Sequence, residues 1–152
     1  MKVEKKNQKT IEMTMGSLFS GIGGFELPAQ WHGVKVIWQS EIEPWACEIL
    51  KAHFPSAIQL GDIQNIDGAL IPPVDIITFG SPCQDMSVAG KRTGLTGARS
   101  GLFMEAVRII REMRKATNGK YPEFAVWENV PGAFSSNKGH DFQAVLEEIT
   151  ES

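Results

Sequence analysis

The sequence predicts one α/β domain on a doubly wound parallel sheet, and three observations carry that prediction. The chain has 152 residues with 42% apolar side chains, enough for a single core. Short apolar runs alternate with stretches of helical period along its whole length. The glycines, acids and the Pro-Cys pair that interrupt this pattern fall at the ends of the apolar runs, where α/β sheets hold their ligands. Right-handed crossovers then leave a strand order such as 3-2-1-4-5.

The elements follow in order. Met15 to Ser20 is a short apolar strand ending in the turn Gly21-Ile-Gly-Gly24. About ten residues containing Phe25, Leu27, Ala29 and Trp31 read as a helix, with Pro28 tolerated only in its first turn. Val34 to Gln39 is a second strand. Glu43 to Phe54 places Trp45, Ala46, Ile49 and Leu50 at helical spacing, and Pro55 stops it. Ala57 to Leu60 is a third, short strand before Gly61-Asp62, and a weakly helical stretch runs on to Leu70. Val74 to Phe79 is a strong fourth strand ending at Gly80.

Residues 80 to 98 form a long loop without period, a feature that marks function in a compact domain. Gly101 to Lys115 is a helix with Leu102, Phe103, Ala106, Val107, Ile109, Ile110 and Met113 facing inward. Pro122 to Trp127 is a fifth strand, ending at Glu128-Asn129. Asp141 to Thr150 reads as a last amphipathic helix. No repeat or interdomain linker interrupts this order.

Charge narrows the function classes. The net charge is −3, and Lys2, Lys5, Lys6 and Lys9 against Glu4 and Glu12 give residues 1–14 a charge of +2, so the rest carries −5. Nucleic acid would have to be held by a local patch or by another part of the protein. Two cysteines make no disulfide framework, and no apolar run approaches the ~20 residues of a membrane span. Residues 1–13 read as a charged, disordered leader without the apolar core of a signal peptide, which places the chain in the cytoplasm. His32, His53 and His140 are scattered without metal-ligand spacing, so no metal site is expected.

The chemistry gathers at the strand ends. A glycine turn lets backbone approach a ligand and opens a helix whose amide end favours negative groups. Glu41 stands twenty residues after Gly21, where a carboxylate can take both hydroxyls of a ribose; alone it also reads as a charge ahead of a helix. The spacing G-x-G-G, with Glu26 in place of a third glycine, departs from the dinucleotide fingerprint and leaves S-adenosylmethionine open. Asp62 reads either as a turn residue or as an acceptor for an adenine amino group. Cys47 lies on an apolar helical face and reads as a packed thiol. Cys83, in a glycine-bounded loop near Lys91 and Arg92, is a candidate nucleophile.

Phe19-Ser-Gly-Ile-Gly-Gly-Phe25, Ser40-Glu41, Gly61-Asp62-Ile63, Gly80-Ser-Pro-Cys-Gln-Asp-Met-Ser87, Arg99-Ser-Gly-Leu-Phe103 and Glu128-Asn-Val130 resemble, in order and spacing, the motifs of the DNA cytosine-5 methyltransferases. The likeness runs from about Met13 to Ser152 and implies a Rossmann-like S-adenosylmethionine-dependent fold. It assigns the cofactor to Phe19, Gly21, Gly23, Gly24, Glu41, Ile42, Asp62, Ile63 and Leu102. Phe19 and Ile42 would pack on the adenine, and Asp62 with Ile63 would read its edge.

Cys83 would be the nucleophile that adds to C6 of cytosine, making C5 enamine-like. Glu128 would hydrogen-bond N3 and the exocyclic amine, with Pro82 and Asn129 shaping the site. The base must leave the duplex, so a loop would close over it, with Ser87, Lys91, Arg92 and Arg99 on phosphates.

The family continues past this point with a Gln-x-Arg-x-Arg motif, a target-recognition domain and a C-terminal motif that completes the cofactor pocket. Residues 14–152 are therefore expected to be a partial catalytic domain, truncated after the fifth strand. Phe124 to Trp127 would be left as an uncovered apolar edge, and the isolated chain is expected to be inactive. A partner carrying the C-terminal half would restore duplex DNA binding. A cofactor-binding module or remnant without turnover, and an RNA cytosine-5 methyltransferase, are the alternatives.

Overall fold

A computed structural model describes residues 12–80 and 100–129, together with Gln143, Leu146 and Glu147. The strands are β1 (Thr14–Leu18), β2 (Lys35–Ser40), β3 (Ile58–Gln59), β4 (Ile76–Phe79) and β5 (Phe124–Trp127); the helices are α1 (Glu26–Trp31), α2 (Pro44–His53) and α3 (Ser100–Ala116). All described strand pairs are parallel, in the order β3-β2-β1-β4-β5. This is the doubly wound order that the sequence predicts.

Right-handed crossovers place α1 and α2 on one face and α3 on the other. On the first face Met15, Val36, Leu50, Phe54 and Ala57 form a core into which Phe25 and Ala29 of α1 pack. On the second, Leu18, Trp38, Ile77 and Phe79 meet Phe103, Ala106, Val107, Ile109, Ile110 and Met113 of α3. The inward set of α3 is the predicted one, except that Leu102 is only half-buried at its start. Trp38 is fully buried, and its indole Nε1–H donates to Pro72 O at 2.9 Å. Asp75 ties the starts of β1 and β4, accepting from Thr14 N and Thr14 Oγ1 at 2.7 Å each.

Three predicted elements differ. α1 has six residues rather than ten, because the glycine turn occupies the chain up to Phe25 and Gly33, at φ +75°, ends the helix. Trp31 and Leu27 lie on its outer side, 73% and 43% exposed. Trp45 of α2 is likewise exposed, while Ala46 and Leu50 face inward.

The helical stretch expected up to Leu70 is a single 3-10 turn, Ile63–Asn65. Besides its own short turns, the segment's backbone is tied to α3: Arg108 donates to Ile63 O and Ile66 O, and Gly68 N donates to Glu112. Burial alone would lower the Arg108 pKa, but the hydrogen bonds it donates to Glu112 and Glu105 outweigh it and raise it.

β5 is the edge strand among the described residues. Trp127 packs edge-on against Phe103 of α3, with ring centroids 5.6 Å apart, whereas Phe124 and Val126 on the opposite face are 54% and 42% exposed. The leader to residue 11, the loop from 81 to 99 and most of the predicted last helix lie outside the described residues; Gln143, Leu146 and Glu147 within that last segment are helical.

Candidate functional site

Because the strands are parallel, their carboxyl ends share one edge of the sheet, and a cavity of about 280 Å3 opens there. That is near the small end of ligand pockets, which start at ~300 Å3. Six of the predicted cofactor residues line it: Phe19, Glu41, Ile42, Asp62, Ile63 and Leu102. So do Ser40, Glu43 and Gly80, which the sequence reading quoted in motifs or passed over without giving them a role. Their signal was positional, since Ser40 ends β2 and Gly80 directly follows β4.

Glu41 is held by three backbone amides. Its Oε2 accepts from Gly21 N at 2.7 Å, and its Oε1 from Ile42 N at 2.8 Å and Glu43 N at 3.0 Å. The carboxylate thus secures the entry to α2 and also reaches the glycine turn. The three amides preset the orientation of the carboxylate, and its oxygens keep acceptor capacity toward the pocket.

Phe19 stands in the left-handed region at φ 56°, a conformation that costs about 1–2 kcal/mol for a residue with a Cβ. The next residues hold it there: Ser20 N donates to Ser40 O, Gly23 N to Ser20 O, and Ser20 Oγ to Ser17 O.

The three turn glycines do not line the pocket themselves. Gly21 contributes its amide. Gly23, at φ +95°, lies where an added Cβ would be 2.6 Å from the Phe54 ring, so its bareness serves the packing of the turn on α2. Nothing stands within 4 Å of a Cβ added at Gly24. Gly21 thus reaches the site through its amide on Glu41, and Gly23 packs the turn on the end of α2.

Asp62 caps the 3-10 turn, its Oδ1 accepting from Gln64 N at 3.0 Å, while Ser40 Oγ donates to the Gly61 carbonyl at 2.7 Å. Glu128 follows β5, and its amide donates to Phe79 O at 2.9 Å. A Cβ on Gly80 would lie 2.8 Å from Glu128 Oε2, so the missing side chain at the end of β4 lets this carboxylate approach the rim of the pocket. Asn129 beside it is half-buried. Cys47, half-buried, donates to Glu41 O at 3.4 Å, in keeping with a packed thiol. Pro82, Cys83, Ser87, Lys91, Arg92 and Arg99 lie outside the described residues.

Among the described residues the lining holds three carboxylates, Glu41, Glu43 and Asp62, and no Lys, Arg or His. Such a pocket repels a pyrophosphate and suits a ligand with hydroxyls, amines or positive charge, which weighs further against a dinucleotide. Among the described residues no group of three or more His, Cys, Asp or Glu could hold a metal ion, and no helix is long and apolar enough to cross a membrane.

The family model for C-5 cytosine-specific DNA methylases matches residues 13–152. The chain is 39% identical over 147 residues to the type II methyltransferase M1.ScrFI of Lactococcus lactis subsp. cremoris, covering 96% of this chain and 36% of that protein. It is 30% identical over 149 residues to the type II methyltransferase M.HhaI of Haemophilus parahaemolyticus, covering 98% and 43%. The fold superposes on a DNA modification methyltransferase encoded within an E. coli prophage with a TM-score of 0.72, at 25% identity over 92% of this chain and 38% of the other. The Dnmt2 methyltransferase of S. pombe shares the fold at a TM-score of 0.65 and 21% identity, covering 90% and 42%. The chain thus spans well under half the length of these relatives.

Proposed function

The chain belongs to the C-5 cytosine-specific DNA methylase family, and from that membership we propose that it is the cofactor-binding and nucleophile-bearing part of a cytoplasmic DNA (cytosine-5) methyltransferase. The observation that carries the reading is the pocket at the strand ends. There a carboxylate fixed by the Gly21, Ile42 and Glu43 amides faces apolar walls and a second acid, Asp62.

These residues fit S-adenosylmethionine. Glu41 would take the ribose hydroxyls, Phe19 and Ile42 would pack on the adenine, and Asp62 with Ile63 would read its edge. Gly21, Gly23, Gly24 and Leu102 complete the assigned set. The three carboxylates of the described lining suit a ligand that carries a sulfonium and an ammonium. Bound there, the cofactor supplies an electrophilic methyl group.

The chain's own residues would do the rest. The Cys83 thiolate adds to C6 of a flipped cytosine and forms the S–C6 bond, which moves an electron pair toward C5. Glu128 hydrogen-bonds N3 and the exocyclic amine and so stabilises the charge that develops on the ring. Loss of the C5 proton later expels the thiolate and restores the aromatic base. Pro82 and Asn129 shape the site, and Ser87, Lys91, Arg92 and Arg99 contact phosphates of the DNA. No metal has a part in this scheme. Duplex binding would draw on the length of the relatives that this chain does not span.

A covalent trap tests the reading: the chain is incubated with S-adenosylmethionine and a 5-fluorocytosine duplex, alone and with a supplied C-terminal polypeptide. An adduct that disappears in Cys83→Ser is the expected result, and no adduct in either mixture counts against a catalytic part. A cofactor-binding module without turnover is the second reading, favoured by a described lining that brings Phe19, Glu41, Ile42, Asp62, Ile63 and Leu102 into one pocket. It predicts cofactor binding that Cys83→Ser leaves unchanged and no adduct. The matching family describes DNA methylases, which favours DNA over an RNA substrate.

A further inference from the structure

We propose that the Ser40 hydroxyl is a positioning residue that sets how the pocket reads an adenine edge, acting through Gly61 on Asp62. Ser40 ends β2 and is only 2% exposed. Three strand ends meet on it and its neighbour. Its carbonyl accepts from Ser20 N at 3.0 Å, at the end of β1. Its hydroxyl donates to Gly61 O at 2.7 Å, at the end of β3. The adjacent Glu41 takes the Gly21 amide at 2.7 Å.

β3 has only two residues, and the β2–β3 ladder ends at Leu60 N, which donates to Gln39 O at 2.8 Å. Beyond that bond, Gly61 stands at φ +72°, where the chain turns to present Asp62. A glycine in this region leaves its peptide free to swing, and the Ser40–Gly61 hydrogen bond fixes the Gly61 carbonyl, and with it the peptide plane that leads into Asp62. Asp62 in turn spends Oδ1 on Gln64 N, which leaves Oδ2 as the oxygen with no described partner. Ser40 thus determines where that oxygen lies, its hydroxyl being spent on the Gly61 carbonyl.

The inference rests on the cofactor reading of the pocket, and its test separates the two. Binding of S-adenosylhomocysteine and of its 6-oxo analogue S-inosylhomocysteine is measured by calorimetry on the chain, on Ser40→Ala, on Asp62→Asn and on the double variant. Loss of one positioning hydrogen bond should lower the preference for the 6-amino ligand about fivefold in Ser40→Ala. Asp62→Asn should lower it at least as far, and the double variant no further, because both act along one path. Ser40→Thr, which keeps the hydroxyl, should retain the preference. An unchanged preference in Ser40→Ala, or effects that multiply in the double variant, overturns the proposal.

Amide hydrogen exchange on the unliganded chain reads the brace without any ligand. Ser40→Ala should speed exchange at Leu60 and Gln64 while the α3 amides keep their protection. Should the unaltered chain bind neither ligand, the cofactor reading falls, and this exchange result still decides the role of Ser40: no change at Leu60 and Gln64 overturns it.

Discussion

β2 and β5 have similar sequences, yet the sheet treats them differently. From Val36 to Ser40 every residue of β2 is buried or half-buried, between α2 on one face and the core beneath α3 on the other. On β5, Phe124, Ala125 and Val126 are exposed and only Trp127 is drawn against α3. The same contrast holds at the strand ends. Around β1, β2 and β3 the rim is closed by Gly21 on Glu41, Ser20 on Ser40, and Ser40 on Gly61. At the end of β5 the carboxylate of Glu128 stands exposed over Gly80. The half of the sheet proposed to hold the cofactor is finished by its own residues, while the half proposed to hold the base presents apolar surface to solvent.

The sharpest way to break this comparison is to hollow out the closed half. Trp38→Ala removes a fully buried ring and the hydrogen bond to Pro72, and should cost about 4 kcal/mol of unfolding free energy, read by urea denaturation. A loss below about 1 kcal/mol would mean that β2 is not the centre of the core.

Next in size, Glu41→Ala should weaken S-adenosylmethionine binding by about 2–3 kcal/mol, or roughly 30- to 150-fold in Kd, because it removes the ribose acceptor and frees three amides together. Calorimetry decides it, and retained affinity would move the cofactor elsewhere. Arg108→Ala, which releases the 63–68 segment from α3, should cost about 1–1.5 kcal/mol, since the arginine is partly exposed and its ion pairs with Glu105 and Glu112 are screened. Thermal melting reads this, and a fully neutral result would leave that segment held by the packing of Ile63 and Ile66 and by Gly68 on Glu112.

The smallest effect belongs to the open half. Phe124→Ser with Val126→Thr should change stability by no more than about 0.5 kcal/mol per site, while reducing self-association in sedimentation velocity, because an exposed apolar edge strand invites pairing. A loss above about 2 kcal/mol would show that this face is covered in solution.

Much of this contrast is legible in the chain. The period of α3 names its buried residues from Phe103 to Met113, and alternation with right-handed crossovers gives the strand order. The candidate site is legible in part: Phe19, Glu41, Ile42, Asp62, Ile63 and Leu102 come together in one pocket. Ser40 and Gly80 were visible in motifs, but their parts depend on partners about twenty and fifty residues away, Gly61 and Glu128, that no local pattern names.

The sequence by itself determined which segments are strands and helices, because hydrophobic period is a local property, and it determined that the polar exceptions lie on one rim, because a parallel sheet puts all its strand ends on the same edge. Only the tertiary structure decided what each exception does there. The Gly23 turn packs on Phe54, the stretch from Ile63 to Leu70 is tied to α3 through Arg108 and Glu112, and Glu41 is aimed by an amide twenty residues before it. Such partnerships are set by strand register and by the packing of distant elements, and both exist only once the chain has closed on itself.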